Sequence, residues 1–311
     1  MSYITKYGTL YGALPVTTGR IFWVAASASY TIDGRTYTAQ YGNDGLSPER
    51  AVLTVSRALV LVTDAADDLI VLLPGAHSVT ASLAFSKARV TLWGLQHGKG
   101  NWVRPRASLT ISTDDELINV TAADVEIANI RLIPITTEAA IDFTGAADRL
   151  YVHDNSFDMA TAAANTGTEG VAAVAATSAP EHLVIEHNYF ECDAAQGAAV
   201  AIGDAQDFVV ERNTFALRAG TWAAAITQAG VLGWGVIRDN DFLATQGATM
   251  TVGILGTDIT SASSTGILRN FFGDDVSTPI DTYGAGDAYI AENYLASVGV
   301  ASGGVLWSST T

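Results

Sequence analysis

The sequence predicts a right-handed parallel β-helix, an all-β solenoid of coils roughly 25 residues long, on the strength of three observations. The first is a six-fold motif centred on Asn155, Asn188, Asn213, Asn240, Asn270 and Asn293. Three residues before each Asn stands a β-branched residue (Val152, Ile185, Val210, Ile237, Ile267, Ile290), and two residues after it Phe157, Phe190, Phe215, Phe242, Phe272 or Leu295. The second is the spacing of the Asn residues, 33, 25, 27, 30 and 23, which describes a constant coil frame carrying loops of variable length. The third is composition: 49% apolar and 15% charged residues supply an elongated core and give no case for disorder.

The elements follow in chain order. Residues 1–43, rich in Tyr, Gly, Thr and Ser, lack the later periodicity and read as a separate segment of short strands and loops, suited to attachment or oligomerisation. Residues 44–68 form a capping-helix region. Ser47 is placed as N-cap, Pro48 at the first helical position and Glu49 in the first turn, where the helix dipole favours it. The helix is therefore expected from Pro48, with Ala51, Val52, Val55, Ala58, Leu59 and Val62 on one side, covering the open end of a stacked sheet. Residues 69–297 form the β-helix. It opens with the buried strand Leu69–Leu73 before the Pro74-Gly75 turn and keeps the apolar frame without Asn at Val90, Leu92 and Leu95, then at Val125, Ile127, Ile130 and Leu132. Residues 298–311 supply a cap or tail. Roughly eight to ten coils at about 4.8 Å give a rod about 40–48 Å long.

In this frame the β-branched residue points into the lumen. The Asn turns the chain between flat sheets while its amide bonds to the coils above and below, and the Phe fills the core. Stacking aligns the residues before each Asn, namely Asp154, His187, Arg212, Asp239, Arg269 and Glu292, into a ladder of mostly opposite charges. The adjacent outward column reads His153, Glu186, Glu211, Arg238, Leu268, Ala291.

The run Gly42-Asn43-Asp44-Gly45-Leu46-Ser47-Pro48, the helix, and Leu69–Leu73 before Pro74-Gly75-Ala76-His77 resemble the opening of the pectate-lyase-like superfamily of parallel β-helices. The resemblance spans roughly residues 42–297 and implies the fold. The superfamily holds lyases, glycoside hydrolases, phage tailspikes and virion proteins without activity, so the fold alone does not decide the chemistry. An Ala- and Gly-rich chain with a distinct N-terminal segment looks most like a tailed-phage virion protein, of capsid-decoration or tailspike type, which implies a homotrimer.

Composition narrows the partners. Thirty-two Asp and Glu against sixteen Lys and Arg, a net charge of −16, argue against nucleic acid and anionic membrane surfaces. The single Cys192 excludes an internal disulfide, and no His has the spacing of a metal site, so neither metal nor cofactor is expected. The first residues do not read as a secretion signal and no apolar run reaches a membrane span, so the expected location is a virion surface, reached from the host cytoplasm by lysis.

A catalytic reading attaches to Glu186 and Glu211, stacked like charges that can raise one pKa as a general acid requires, although Arg238 follows to neutralise them. Asp67-Asp68, Asp114-Asp115-Glu116 and Asp274-Asp275 read as turn residues. Tyr151, Trp222, Trp234 and Tyr289 are candidate contacts to a glycan or a neighbouring subunit. Three functions remain in order: a non-enzymatic virion structural protein bound to a capsid or tail component, decoration preferred over tail spike; a depolymerase of lyase or hydrolase type; and a host-glycan-binding module.

Overall fold

The computed structural model describes residues 14–32, 34–95, 107–113, 115–134, 138–143, 148–159, 168–173, 181–193, 196–203, 205, 207–229, 234–245, 247–257, 264–283, 287–296 and 304–306. Their strands form three long sheets of ten, ten and eight strands, each adding one strand per coil. One coil runs through Phe208–Glu211 in the first sheet, Thr214–Leu217 in the second and Thr221–Ala229 in the third. Neighbouring coils pair in parallel, as where Val210 lies between Ile185 and Ile237. The exceptions are the Ser29–Ile32 and Arg35–Thr38 hairpin and the antiparallel closing strand Gly304–Leu306.

The Asn residues are fully buried and form a continuous ladder. Asn213 shows the unit: its Nδ2 donates to Ile185 O (2.9 Å) and Asn240 Oδ1 (3.0 Å), and its backbone N–H also donates to Asn240 Oδ1 (3.0 Å). Its Oδ1 in turn accepts from the backbone N–H (2.9 Å) and Nδ2 (3.1 Å) of Asn188. The Asn is therefore a staple, and the corner itself is made one residue earlier. Asp154, His187, Arg212, Asp239, Arg269 and Glu292 all hold left-handed φ between 52° and 56°, a conformation costing a non-glycine residue roughly 1–2 kcal/mol. Inside, Phe157, Phe190, Phe215, Phe242 and Phe272 stack with centroids 4.4, 4.9, 4.9 and 4.7 Å apart. Phe208 adds a ring that only glycine accommodates, since a Cβ on Gly235 would lie 2.0 Å from its Cε1.

The N-terminal end departs from the sequence expectation. Helix α1 runs Val55–Leu61, and Pro48–Arg50 is a separate 3-10 turn in which Ser47 makes no side-chain cap. Thr54 is the N-cap, its hydroxyl accepting from Arg57 N–H. Val52 is drawn out of the helix because it extends the first sheet, donating to Trp23 O (2.9 Å) and accepting from Ala25 N–H (3.0 Å). Val55, Ala58 and Val62 join the lumen core and close its end. Lys87 Nζ reaches Leu59 O, Val60 O and Val62 O at 2.7–3.1 Å, satisfying carbonyls that a helix end leaves open. The first-sheet strand Asp68–Leu72 is buried on both faces, because Trp23, Ile32 and Ala39 cover Leu69 and Val71 from outside. That double burial is why Leu69–Leu73 shows no alternation.

Candidate functional site

Outward residues of the first sheet stack into two columns. Thr91, Glu126, Tyr151, Val184, Val209, Val236, Gly266 and Tyr289 form one; Trp93, Ala128, His153, Glu186, Glu211, Arg238, Leu268 and Ala291 form the other. Glu186 and Glu211 are thus neighbours on successive coils, as the spacing predicted. Each is also held by other groups. Glu186 accepts from the Tyr151 hydroxyl and lies 3.8 Å from Arg212, while Glu211 pairs with Arg212 (3.0 Å) and Arg238. In the corner column Arg269 forms two 2.8 Å bonds to Asp239.

The densest constellation lies one coil earlier. His153, 8% exposed, donates from Nδ1 to Asp154 (2.8 Å) and from Nε2 to Glu126 (2.9 Å). Burial lowers its pKa, but the hydrogen bonds and charges of the two carboxylates outweigh burial and lift it to about 9, so it is an imidazolium at neutral pH. Burial raises the Glu126 pKa, yet the His153 bond and charge and the Thr91 hydroxyl carry the balance below the usual carboxylate value. Tyr151 stacks on His153 at 4.0 Å, and burial with the Glu186 contact pushes its phenol pKa up.

Beside this network runs a second column of left-handed residues, Asp67, Arg89, Asp124, Arg149, His182 and Asp207, with φ between 55° and 61°. Asp67 pairs with Arg89, Asp124 with Arg149, and His182 lies 3.7 Å from Asp207. The first two rungs, with Tyr151 and Glu126, line a groove of about 520 Å³ that Pro15–Thr18 also line, Thr18 donating its hydroxyl to Asp67 (2.7 Å). Sequence reasoning missed this column, although its signal is present: Arg149, His182 and Asp207 each stand six residues before a ladder Asn.

The remaining candidates fall in different places. Trp222 is fully buried, which removes it as a surface contact. It joins the lumen core from the third sheet with Ala225 and Ile226, and its indole N–H has no hydrogen-bond partner among the described residues. Trp234 (73%) and Tyr289 (68%) are exposed toward the C-terminal end of the first sheet, and Tyr151 is half-buried. Of the acidic clusters read as turns, Asp274 and Asp275 are exposed in a turn, and Asp114 lies outside the described residues. Asp68 is instead a buried strand residue, accepting from Arg20 N–H and Thr63 N–H at 2.7 Å. Glu116 accepts from Asn119 (2.8 Å) and Ser82 (3.1 Å). On the third sheet burial, then the charges of Glu116 and Glu138, raise the Asp142 pKa to about 6. Among the described residues no three His, Cys, Asp or Glu side chains are grouped to hold a metal ion, and no helix is long and apolar enough to cross a membrane.

Solved structures share the fold. Pectin methylesterase from Aspergillus niger matches at 14% identity with a TM-score of 0.54, over 91% of this chain and 88% of its own. Carrot pectin methylesterase matches at 13% and 0.54, over 93% and 86%, and a pectin methylesterase in complex with a hexasaccharide at 10% and 0.56, over 92% of both. The chain is a right-handed parallel β-helix. No protein-family model and no curated protein matches it. At these identities the likeness carries the parallel β-helix fold alone.

Proposed function

We propose that the chain is a non-enzymatic structural protein of a tailed-phage particle: a homotrimeric β-helical spike on the virion surface, decorating the capsid in preference to the tail. It is made in the host cytoplasm and released by lysis. The observation that carries this reading is the neutralised outer column: Glu186 and Glu211, the stacked pair that chemistry would require, are held by Tyr151, Arg212 and Arg238. A lattice-bound protein needs such a static, compensated surface, whereas a general acid needs a carboxyl poised to release its proton. Exposed Trp234, Phe271, Tyr289 and Tyr294 toward the C-terminal end suit contact with another subunit. Cryo-electron microscopy of native particles carrying labelled protein tests the reading. Density over the capsid lattice is the expected result, density at the tail tip favours a tail spike, and absence from particles overturns the assignment.

A second reading, a glycan-cleaving depolymerase, is favoured by Asp142, whose raised pKa beside Glu116 and Glu138 resembles that of an acid catalyst. It requires a host polysaccharide to be shortened by the wild-type chain and left intact by Asp142→Asn. If Glu186→Gln or Glu211→Gln alone abolishes cleavage, the acid pair lies on the first sheet instead.

A further inference from the structure

We infer that the groove between Pro15–Thr18 and the first sheet binds a neutral oligosaccharide, with Tyr151 as its aromatic wall and the Asp67–Arg89 and Asp124–Arg149 pairs as its hydroxyl-recognising rungs. The inference does not depend on a virion role. Its first support is size: about 520 Å³ falls within the roughly 300–1,000 Å³ of small-molecule pockets. Its second is the chemistry of the walls. Each Asp–Arg rung sets acceptors beside donors, and the Thr91 and Tyr151 hydroxyls, which donate to Glu126 and Glu186, add acceptor oxygens, which suits a ligand rich in hydroxyl groups that both donate and accept. Phosphate or uronate suits it poorly, because both arginines are already paired with Asp67 and Asp124 and the lining offers an anion no uncompensated positive charge.

The third support is preorganisation. Tyr151 is held at both ends, its ring against His153 and its hydroxyl on Glu186, while His153 is clamped between Glu126 and Asp154. A buried imidazolium between two carboxylates is a costly way to stabilise a strand, since well-packed apolar residues do as well. It is an effective way to immobilise an aromatic ring before a ligand arrives, which lowers the entropy lost on binding. His153 is thus a positioning residue, and the polarised C–H groups of a sugar meet the negative face of a ring that does not reorganise.

The test is isothermal titration of the full chain with oligomers of glucose, mannose and N-acetylglucosamine, and with galacturonate oligomers as the anionic comparison. Saturable binding of a neutral oligomer is expected, weakened at least ten-fold in Tyr151→Ala and in Val16→Trp, which obstructs the groove from an exposed position, and unchanged in Glu292→Gln at the far end. Wild-type affinity should also fall as pH rises through about 9, while His153→Gln binds weakly at every pH. No binding by any neutral oligomer, preference for galacturonate, or full affinity in Val16→Trp overturns the inference.

Discussion

At the scale of single residues, the corner Asn and the buried His153 make the sharpest demands. Each ladder Asn from Asn155 to Asn270 uses both amide protons and its carbonyl oxygen, so a replacement must both donate and accept. Asn213→Asp keeps the shape but loses the donors to Ile185 O and Asn240 Oδ1 and buries a charge beside them. The expected loss is about 3–5 kcal/mol in denaturant unfolding, against less than about 0.5 kcal/mol for exposed Glu292→Gln. His153 behaves differently because its stabilising effect titrates. Its folded-state pKa of about 9 lies above the unfolded value of 6.5, so its contribution is full below pH 6.5 and lost as pH rises through about 9. Wild-type stability should fall by about 3 kcal/mol across that window, and the decline should be largely absent in His153→Gln. The Asn positions were legible because each recurs with the same apolar partners. Glu126 was not, since it meets His153 across 27 residues of chain and its own coil carries Ile130 where later coils carry Asn.

Among the elements, helix α1 is held by its ends as much as by its apolar face. Lys87→Met should cost about 1–2 kcal/mol by leaving three carbonyls at its C-terminus without their cation, measurable by urea unfolding and by faster amide exchange in Val55–Leu61. The helix's existence and its buried Val55 and Ala58 could be read from periodicity. Its start could not: Ser47-Pro48-Glu49 is a valid local start, but strand pairing by Val52 overrides it, and that competition is tertiary. Trp222 shows a related limit. It shares the lumen with Ala225 and Ile226 of its strand, a spacing without strict alternation, and the small residues and glycines around it imitate a loop. The third sheet takes up the variable length, its strands growing from three residues at Leu83–Phe85 to nine at Thr221–Ala229 and Thr249–Thr257, while the Asn corner never changes.

For the molecule as a whole, repetition makes burial collective. Ile237 sits in an unbroken lumen between Val210 and Ile267, so Ile237→Asp places an unpaired charge against two neighbouring coils. The expected product is unfolded or aggregated protein, read by circular dichroism and size-exclusion chromatography, and a soluble folded variant would refute the register. Coil order and inward faces were legible from one sequence because each coil repeats the experiment of the last. The groove was not, because part of its lining, Pro15–Thr18, comes from residues before the first coil. The Asn ladder also makes the rod one-dimensional in a thermodynamic sense. Every rung hands its amide to the next in the same direction, so a coil is secured only by the coils on either side, and disorder introduced at one rung can travel solely along the axis. Such a chain melts like a zipper: it frays inward from its ends and keeps its longest-lived protons near Asn213. Cut in the middle, it becomes two shorter zippers, each with a new end from which to open.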